Sequence, residues 1–396
     1  KSDGTTCSLT SDGTTITINT TPTITITNNS GTVDYDGSNA ISLTAGTSGS
    51  STSFLWSNGA TTSAVSIAAE GTYQVVGTDA GCSDSVSLRV YEPVYVDDDG
   101  SDSNGDGSLN LPYATLSKGY TEVSDGGKIY VLPGTYEEEL EITKSVNIMS
   151  NYGRLGDTSA IATTIIEADN SNYALKINSA GSISEPVLIQ GFTITGKSSN
   201  SYEAVVHAQS GAVAELRNII FEENKVDWGW SESAAALSVN GATVLIEESS
   251  FVDNNPFQMN NPSVVSLRSS SKLTVKRCSF KDNYSDYSII SLWGGSNTLS
   301  IENSYFKDNK NYDGLIRSRN WDDVISLDHV TIQESLYSGG YLLGTEGNSS
   351  ITVSNSVVQG TNSGTSFWYA SNGSASMSVS NSVIDVTGGL NHPNSI

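Results

Sequence analysis

Between Ser2 and Leu88 the chain contains no lysine or arginine. Over its 396 residues it has 19 basic against 43 acidic side chains, a formal net charge of −24. A surface this acidic repels phosphate backbones and anionic headgroups, which argues against nucleic acid and membrane surfaces as partners. Polyanionic glycans are repelled too, unless a local basic patch or bound cations reverse the field. Cysteine is nearly absent. Cys7, Cys82 and Cys278 cannot build a disulfide framework or a cysteine-rich zinc site. No apolar run is long enough to span a bilayer, so membrane insertion is not expected. Charged residues make up only 16% of the chain, and Gly, Ser, Thr and Asn separate short apolar runs. That pattern favours strands and turns over helices, and the length favours more than one domain.

Residues 23–92 show six short alternating stretches, "TITIT", "AISLTA", "SFLWS", "AVSIA", "GTYQVVGT" and "DSVSLRVY", parted by turns such as "SNGA" and "AEGT". Spacing of this kind predicts a sandwich of two antiparallel sheets. The stretch "FLWSNGATTSAVSIAAEGTYQVVGTDAGCSDSVSLRV" resembles the Ig-like modules repeated in large secreted proteins of Bacteroidota-type bacteria. The resemblance implies that Trp56 is a core residue. "CSLTSDGTTITINTTP" at the start lines up with "CSDSVSLRVYEP". Residues 1–22 are therefore expected to be the last strand of a preceding module, with Cys7 and Cys82 as equivalent positions and not bonded partners.

From Tyr95 onward a repeat takes over. "LRNIIFEEN", "IEESSFVDN", "VKRCSFKDN" and "IENSYFKDN" place anchors at Phe221, Phe251, Phe280 and Phe306, continued by Ile332, Val358 and Ile384. No helical period runs through these coils, so a parallel β-helix with three strands per coil is expected. One strand contributes Leu216, Ile246, Val275, Ile301, Leu327, Val353 and Val379 to the interior. Three positions before the anchor stand Asn218, Asn303, Asn355 and Asn381, with Glu248, Arg277 and His329 substituting. Three positions after it stand Asn224, Asn254, Asn283 and Asn309. Both asparagine columns read as structural, bonding along the stack and tolerating left-handed backbone.

The segment "YVDDDGSDSNGDGSLNLPYATLSKGYTEVSDGGKIYVLPGTYEEELEITKSVNIMS" and the coil "VLIQGFTITG" resemble right-handed β-helices of the pectin-lyase-like superfamily. The resemblance covers about residues 93–396 and implies an all-β fold: an N-terminal Ig-like β-sandwich (23–92), then a right-handed parallel β-helix with a short N-terminal capping helix. An acidic loop and cap would occupy 95–125, with Leu116, Tyr120 and Val123 on one face of the helix, and coils 126–390. Further domains of a longer chain are expected at both ends, and an extracellular or cell-surface bacterial location follows from this architecture.

Two places could carry chemistry. Asp98, Asp99, Asp102, Asn104 and Asp106 offer hard oxygen ligands, and the alternation from Asp102 to Gly107 begins like an EF-hand loop. The twelfth position is Tyr113, where such a loop needs a bidentate glutamate, so a calcium turn and a solvated acidic turn both stand as readings. The second place is one stacked strand formed by "VVSLRS", "IISLWG", "LIRSR", "YLLGTE" and "SFWYAS". If Leu267 and Leu292 point inward, Arg268, Trp293 and Arg319 point outward one above another, with Arg317, Trp321 and Tyr369 nearby. Aromatic faces stack on sugars and arginine forks bind acidic groups, but Arg on Trp also makes a ligand-free ladder.

The resemblance also implies lyases that cleave uronic-acid polymers by β-elimination, for which Arg268, Arg317 or Arg319 would be the base and Asp322 with Asp323 a cation site. Paired-aspartate and histidine signatures of β-helical hydrolases are missing. Trp228 and Trp230 read as packing residues on the solenoid or as a shelf for a ligand, His207 and His329 as turn or ladder residues, and Cys278 as a small packed one. The expected function is a surface protein whose β-helix binds a polysaccharide or a protein partner; the alternative is a polysaccharide lyase.

Overall fold

The computed structural model describes residues 8–11, 14–17, 19–31, 33–35, 39–198, 204–226, 233–255, 262–319, 322–334, 341–360, 366–371 and 374–386. The chain divides into two compact units, residues 1–93 and 94–396.

The first unit is an antiparallel module of two three-stranded sheets. Ile24–Asn28, Ile41–Thr47 and Ala64–Ile67 make one; Ser53–Trp56, Gly71–Asp79 and Cys82–Val90 make the other. These are the six alternating stretches of the sequence, because a period of two sends Ile41, Leu43, Val65, Ile67 and Val75 into one core. Trp56 is fully buried there, and its Nε1 donates to the Thr62 carbonyl at 2.9 Å. Ser8–Ser11 pairs antiparallel with Thr14–Thr17, so this stretch is two strands where one was expected. Cys82 and Cys278 are free thiols, while Cys7 lies outside the described residues.

The second unit is a parallel solenoid of three long sheets with 11, 10 and 9 strands. The first sheet runs from Val94–Val96 to Ser376–Ser380, the second from Gly134–Glu137 to Val383–Asp385, and the third from Leu140–Ile142 to Ser366–Ser371. Register keeps like residues together. Leu216, Ile246, Val275, Ile301, Leu327, Val353 and Val379 succeed one another in the first sheet, but Val379, expected in the interior, lies on the sheet's last strand and is exposed. In the second, Phe221, Phe251, Phe280 and Phe306 stack with centroids 4.4–4.6 Å apart.

The two asparagine columns have separate jobs. Asn218, Glu248, Arg277, Asn303, His329, Asn355 and Asn381 all take positive φ, between 49° and 54°. In the other column Asn224, Asn254, Asn283 and Asn309 are buried, and the Nδ2 of each of the first three donates to the next Oδ1 at 2.8–2.9 Å. There the left-handed residue is the preceding one: Glu223, Asp253, Asp282 and Asp308. Cys278 is buried in a column with Ile219, Ser249, Ser304, Val330 and Ser356; burial pushes its thiol up to about 11. It is a packed residue and not a nucleophile.

The helix Leu116–Glu122 covers the solenoid's open first coil. Leu116 and Val123 are buried and Tyr120 packs against the core. A Cβ at Gly119 would stand 2.6 Å from Val96 Cγ2, so glycine is what lets the helix lie so close to the strand. Glu138 holds the helix start, accepting from the Leu116 and Ser117 amides at 2.6 and 2.9 Å, as helix N-termini favour. Two further short helices, Asn151–Leu155 and Ser159–Thr163, stand between the first and second sheets. Each is too short to leave a helical period in the sequence.

Candidate functional site

The acidic loop resolves into anchors and one carboxylate cluster. Asp102 Oδ1 accepts from the Ala114 and Thr115 amides at 2.8 and 3.1 Å, and Oδ2 from the Thr115 hydroxyl at 2.8 Å. Asp106 Oδ1 accepts from the Ser108 amide at 2.9 Å, and its bonds to Ser108 hold its carboxyl below the usual range. Asp102 thus ties the turn to the helix start and Asp106 closes a local bend. Asn104 lines a shallow hollow with Asp97 and Asp99. The carboxylates that converge are Asp97, Asp98 and Asp99, each with an oxygen within 4.8 Å of the others. Asp97 completes that cluster and was not among the residues picked out from the motif. Asp98 also accepts from the Thr135 amide at 3.1 Å, over a Gly134 whose Cβ would strike its carboxylate. The donor set suits a hard cation such as calcium, but it is not the EF-hand spacing that the sequence suggested.

The third sheet carries the arginine–aromatic column. Arg268 pairs with Trp293 in register, and the Arg319 amide donates to the Leu292 carbonyl at 3.0 Å, which brings Arg319 beside Trp293. The Arg319 guanidinium carbon lies 5.1 Å from the Trp293 ring centroid. Arg268 Nη2 reaches Ser238 Oγ at 3.4 Å. Two residues earlier along these strands, Ser291 pairs with Arg317, Arg317 with Gly344, and Gly344 with Tyr369.

Arg317 is not an exposed contact, as simple alternation implied; it is 5% exposed. The middle strands of this sheet, such as Ser263–Arg268, are buried at almost every position, so alternation does not separate inside from outside here. Arg317 lies against Tyr341 and Tyr369, its guanidinium carbon 5.3 and 5.5 Å from their centroids, and those two rings stack 4.9 Å apart. A Cβ on Gly344 would be 2.7 Å from Arg317 Nη1 and 2.5 Å from Tyr341 Cε2, so this packing requires the glycine.

Carboxylates hold both arginines. Arg317 Nη2 donates to Glu346 Oε1 at 2.5 Å. Arg319 Nη2 donates to Asp313 Oδ2, and the Tyr341 hydroxyl donates to Oδ1 of the same residue. Asp313, Tyr341 and Glu346 were missed in the sequence because they sit at strand ends and in a turn, where periodicity gives no direction. Tyr369 is 42% exposed, and Trp321, Trp228 and Trp230 lie outside the described residues.

The remaining candidates are structural. Asp323 is fully buried and accepts from the Asn297 amide, Asn297 Nδ2 and Ser318 Oγ at 2.8, 3.0 and 2.7 Å. It therefore supports a turn and does not form a cation pair with exposed Asp322. His329 Nδ1 contacts Asp328 Oδ2 at 2.9 Å in a left-handed turn.

His207 is buried between Lys176 and Ser238 in register. Burial first, then the Arg268 and Lys176 charges, push its imidazole down to about 4. The neutral form is kept in the fold, so its stability contribution is complete above the unfolded value of about 6.5. That contribution falls as pH drops from about 6.5 to about 4, by at most about 3 kcal/mol, and levels off below. Denaturant melts at stepped pH should show this loss in the native chain and not in His207→Gln.

Residues 156–332 match the family model described as right handed beta helix region. With the three parallel sheets, that match decides the fold. The second unit is a right-handed parallel β-helix. Solved structures similar to the chain include pectate lyase Pel9A, with 15% identity over 75% of this chain and 79% of that one and a TM-score of 0.43. A rhamnogalacturonan lyase shows 12% identity over 70% and 84%, with a TM-score of 0.33. A pectin methylesterase from Aspergillus niger shows 17% identity over 72% and 85%, with a TM-score of 0.32. No curated protein matches the chain. Among the described residues of the β-helix and the first unit, no helix is long and apolar enough to cross a membrane.

Proposed function

We propose that the chain is an extracellular glycan-binding protein, in which the small antiparallel module, of Ig-like kind, serves as a stalk for the β-helix. The observation that carries this reading is the layering of aromatic rings and guanidinium groups on one sheet. Arg319 lies over Trp293, and Tyr341 stacks on Tyr369 beside Arg317. Ring faces held in fixed positions stack on the apolar faces of sugars at low entropic cost. The same geometry disfavours the lyase alternative. A carboxylate already occupies an edge of Arg317 and of Arg319 that an elimination substrate would need.

Affinity gel electrophoresis with soluble polysaccharides tests the reading. Retardation of the native chain, weakened at least about tenfold in Trp293→Ala and in Tyr369→Ala, is the expected result, a loss near that of one well-placed aromatic contact. A rise in ultraviolet absorbance from unsaturated product, abolished by Arg319→Ala, would establish the lyase instead. No retardation by any polysaccharide would leave a protein partner or a purely architectural role.

A further inference from the structure

The face just described carries an internal charge arrangement that bears on which glycans it accepts. Four ionisable side chains meet there: Arg317, Arg319, Asp313 and Glu346. Their formal charges cancel, on a chain whose net charge is −24. Asp313 is the centre of the group. Its Oδ2 takes the Arg319 Nη2 donor, its Oδ1 takes the Tyr341 hydroxyl, and Arg317 Nε stands 4.0 Å from Oδ2. Arg319 is the more exposed arginine, with 27% of its side chain accessible against 7% for Arg317. It is thus the cation of this cluster that an incoming anionic sugar would meet, and Asp313 already neutralises it.

We propose that Asp313 is the specificity-determining residue of this face, selecting uncharged polyhydroxylated chains and rejecting polyanionic ones. The proposal rests on the glycan-binding reading for its ligand, but its electrostatics stand apart from it. A polyanion would have to displace the Asp313 carboxylate from Arg319 while approaching a strongly acidic protein, and both steps oppose it. An uncharged chain meets neither cost and can use the parts of Trp293 and Tyr369 that Arg319 and Tyr341 leave uncovered. Asp313 also positions Tyr341, which lies over Gly314 and Gly344 and stacks on Tyr369, so the residue that sets the charge also sets the platform.

The test is affinity electrophoresis in hydroxyethylcellulose, which is uncharged, and in polygalacturonate, a polyanion, at low and high salt. The native chain is expected to be retarded by the first and not by the second. Asp313→Asn, which keeps one acceptor oxygen and removes the charge, is expected to gain at least about tenfold in affinity for polygalacturonate at low salt, the gain vanishing at high salt as screening requires. Asp313→Asn with Arg319→Ala should lose that gain, and Asp313→Glu should never show it. If Asp313→Asn does not fold by circular dichroism, Asp313→Ser replaces it in the same assay.

Retardation of the native chain by polygalacturonate would overturn the proposal while leaving glycan binding intact. A folded Asp313→Asn with no gain would also overturn it. If the native chain is retarded by neither polymer but Asp313→Asn is retarded by polygalacturonate, the exclusion of polyanions by Asp313 stands and the selection of an uncharged chain is overturned.

Discussion

Phe280→Ala is expected to lower the stability of the β-helix by about 3–5 kcal/mol, the range for a buried phenylalanine. The Phe280 ring lies between those of Phe251 and Phe306, at 4.4 and 4.6 Å and within 7° of parallel. Removing it leaves a gap in a column whose spacing is fixed by the backbone ladder on either side. Collapse would require two coils to approach more closely than strands pair, so the cavity persists and its full cost appears. A solenoid unfolds by coupled neighbours, so the loss is read as a lowered denaturation midpoint together with faster amide exchange across the coils holding Phe251 and Phe306. A loss below about 1 kcal/mol would show that the stack relaxes and that the ring column is not what sets coil spacing.

Asn283→Ala should be almost as costly, for a different reason. Asn283 Oδ1 accepts from the Asn254 amide and Nδ2 at 3.1 and 2.8 Å, while its own Nδ2 donates to the Phe251 carbonyl and to Asn309 Oδ1 at 2.9 and 2.8 Å. Truncation strands two donors on fully buried Asn254 and takes one donor each from the Phe251 carbonyl and from Asn309 Oδ1, which keeps the amide of residue 283 at 3.2 Å. Each stranded buried group costs about 1–3 kcal/mol, and water has little room to replace four bonds at once. We expect at least about 3 kcal/mol in denaturant melts, against about 1 kcal/mol for Asn355→Ala in the other asparagine column, where a left-handed turn preference and one exposed hydrogen bond, Asn355 Nδ2 to Asp328 Oδ1 at 2.8 Å, are lost. Equal effects at the two positions would contradict the division of labour between the columns.

The parts of the molecule that could be read from sequence are those that repeat. The phenylalanine anchors, the inward column from Leu216 to Val353 and the six strands of the first unit all follow from a period of two multiplied by a fixed coil length. The pairing of Arg268 with Trp293, and Arg319 beside it, came from the same register. What did not show was set by contacts across coils. Arg317 occupies an outward position by alternation yet is buried, because Gly344 and the two tyrosines make a recess that no single coil reveals. Asp313 lies in a turn, and nothing in "KNYDGLIRSR" distinguishes it from a solvated aspartate. In the acidic loop the motif was visible but its partners were not. Asp102 turned out to bind the helix start twelve residues on, and Asp97, outside the motif, completes the carboxylate cluster.

The left-handed turn column has a consequence for variation. From Asn218 to Asn381 the backbone takes one conformation whether the side chain is neutral, acidic, basic or aromatic. The conformational cost, roughly 1 kcal/mol for most residues, is therefore already met by each coil and does not depend on which side chain follows. The column works as a ruler graduated at the strand spacing of about 4.8 Å, on which charge can be rewritten one mark at a time while the solenoid beneath stays the same.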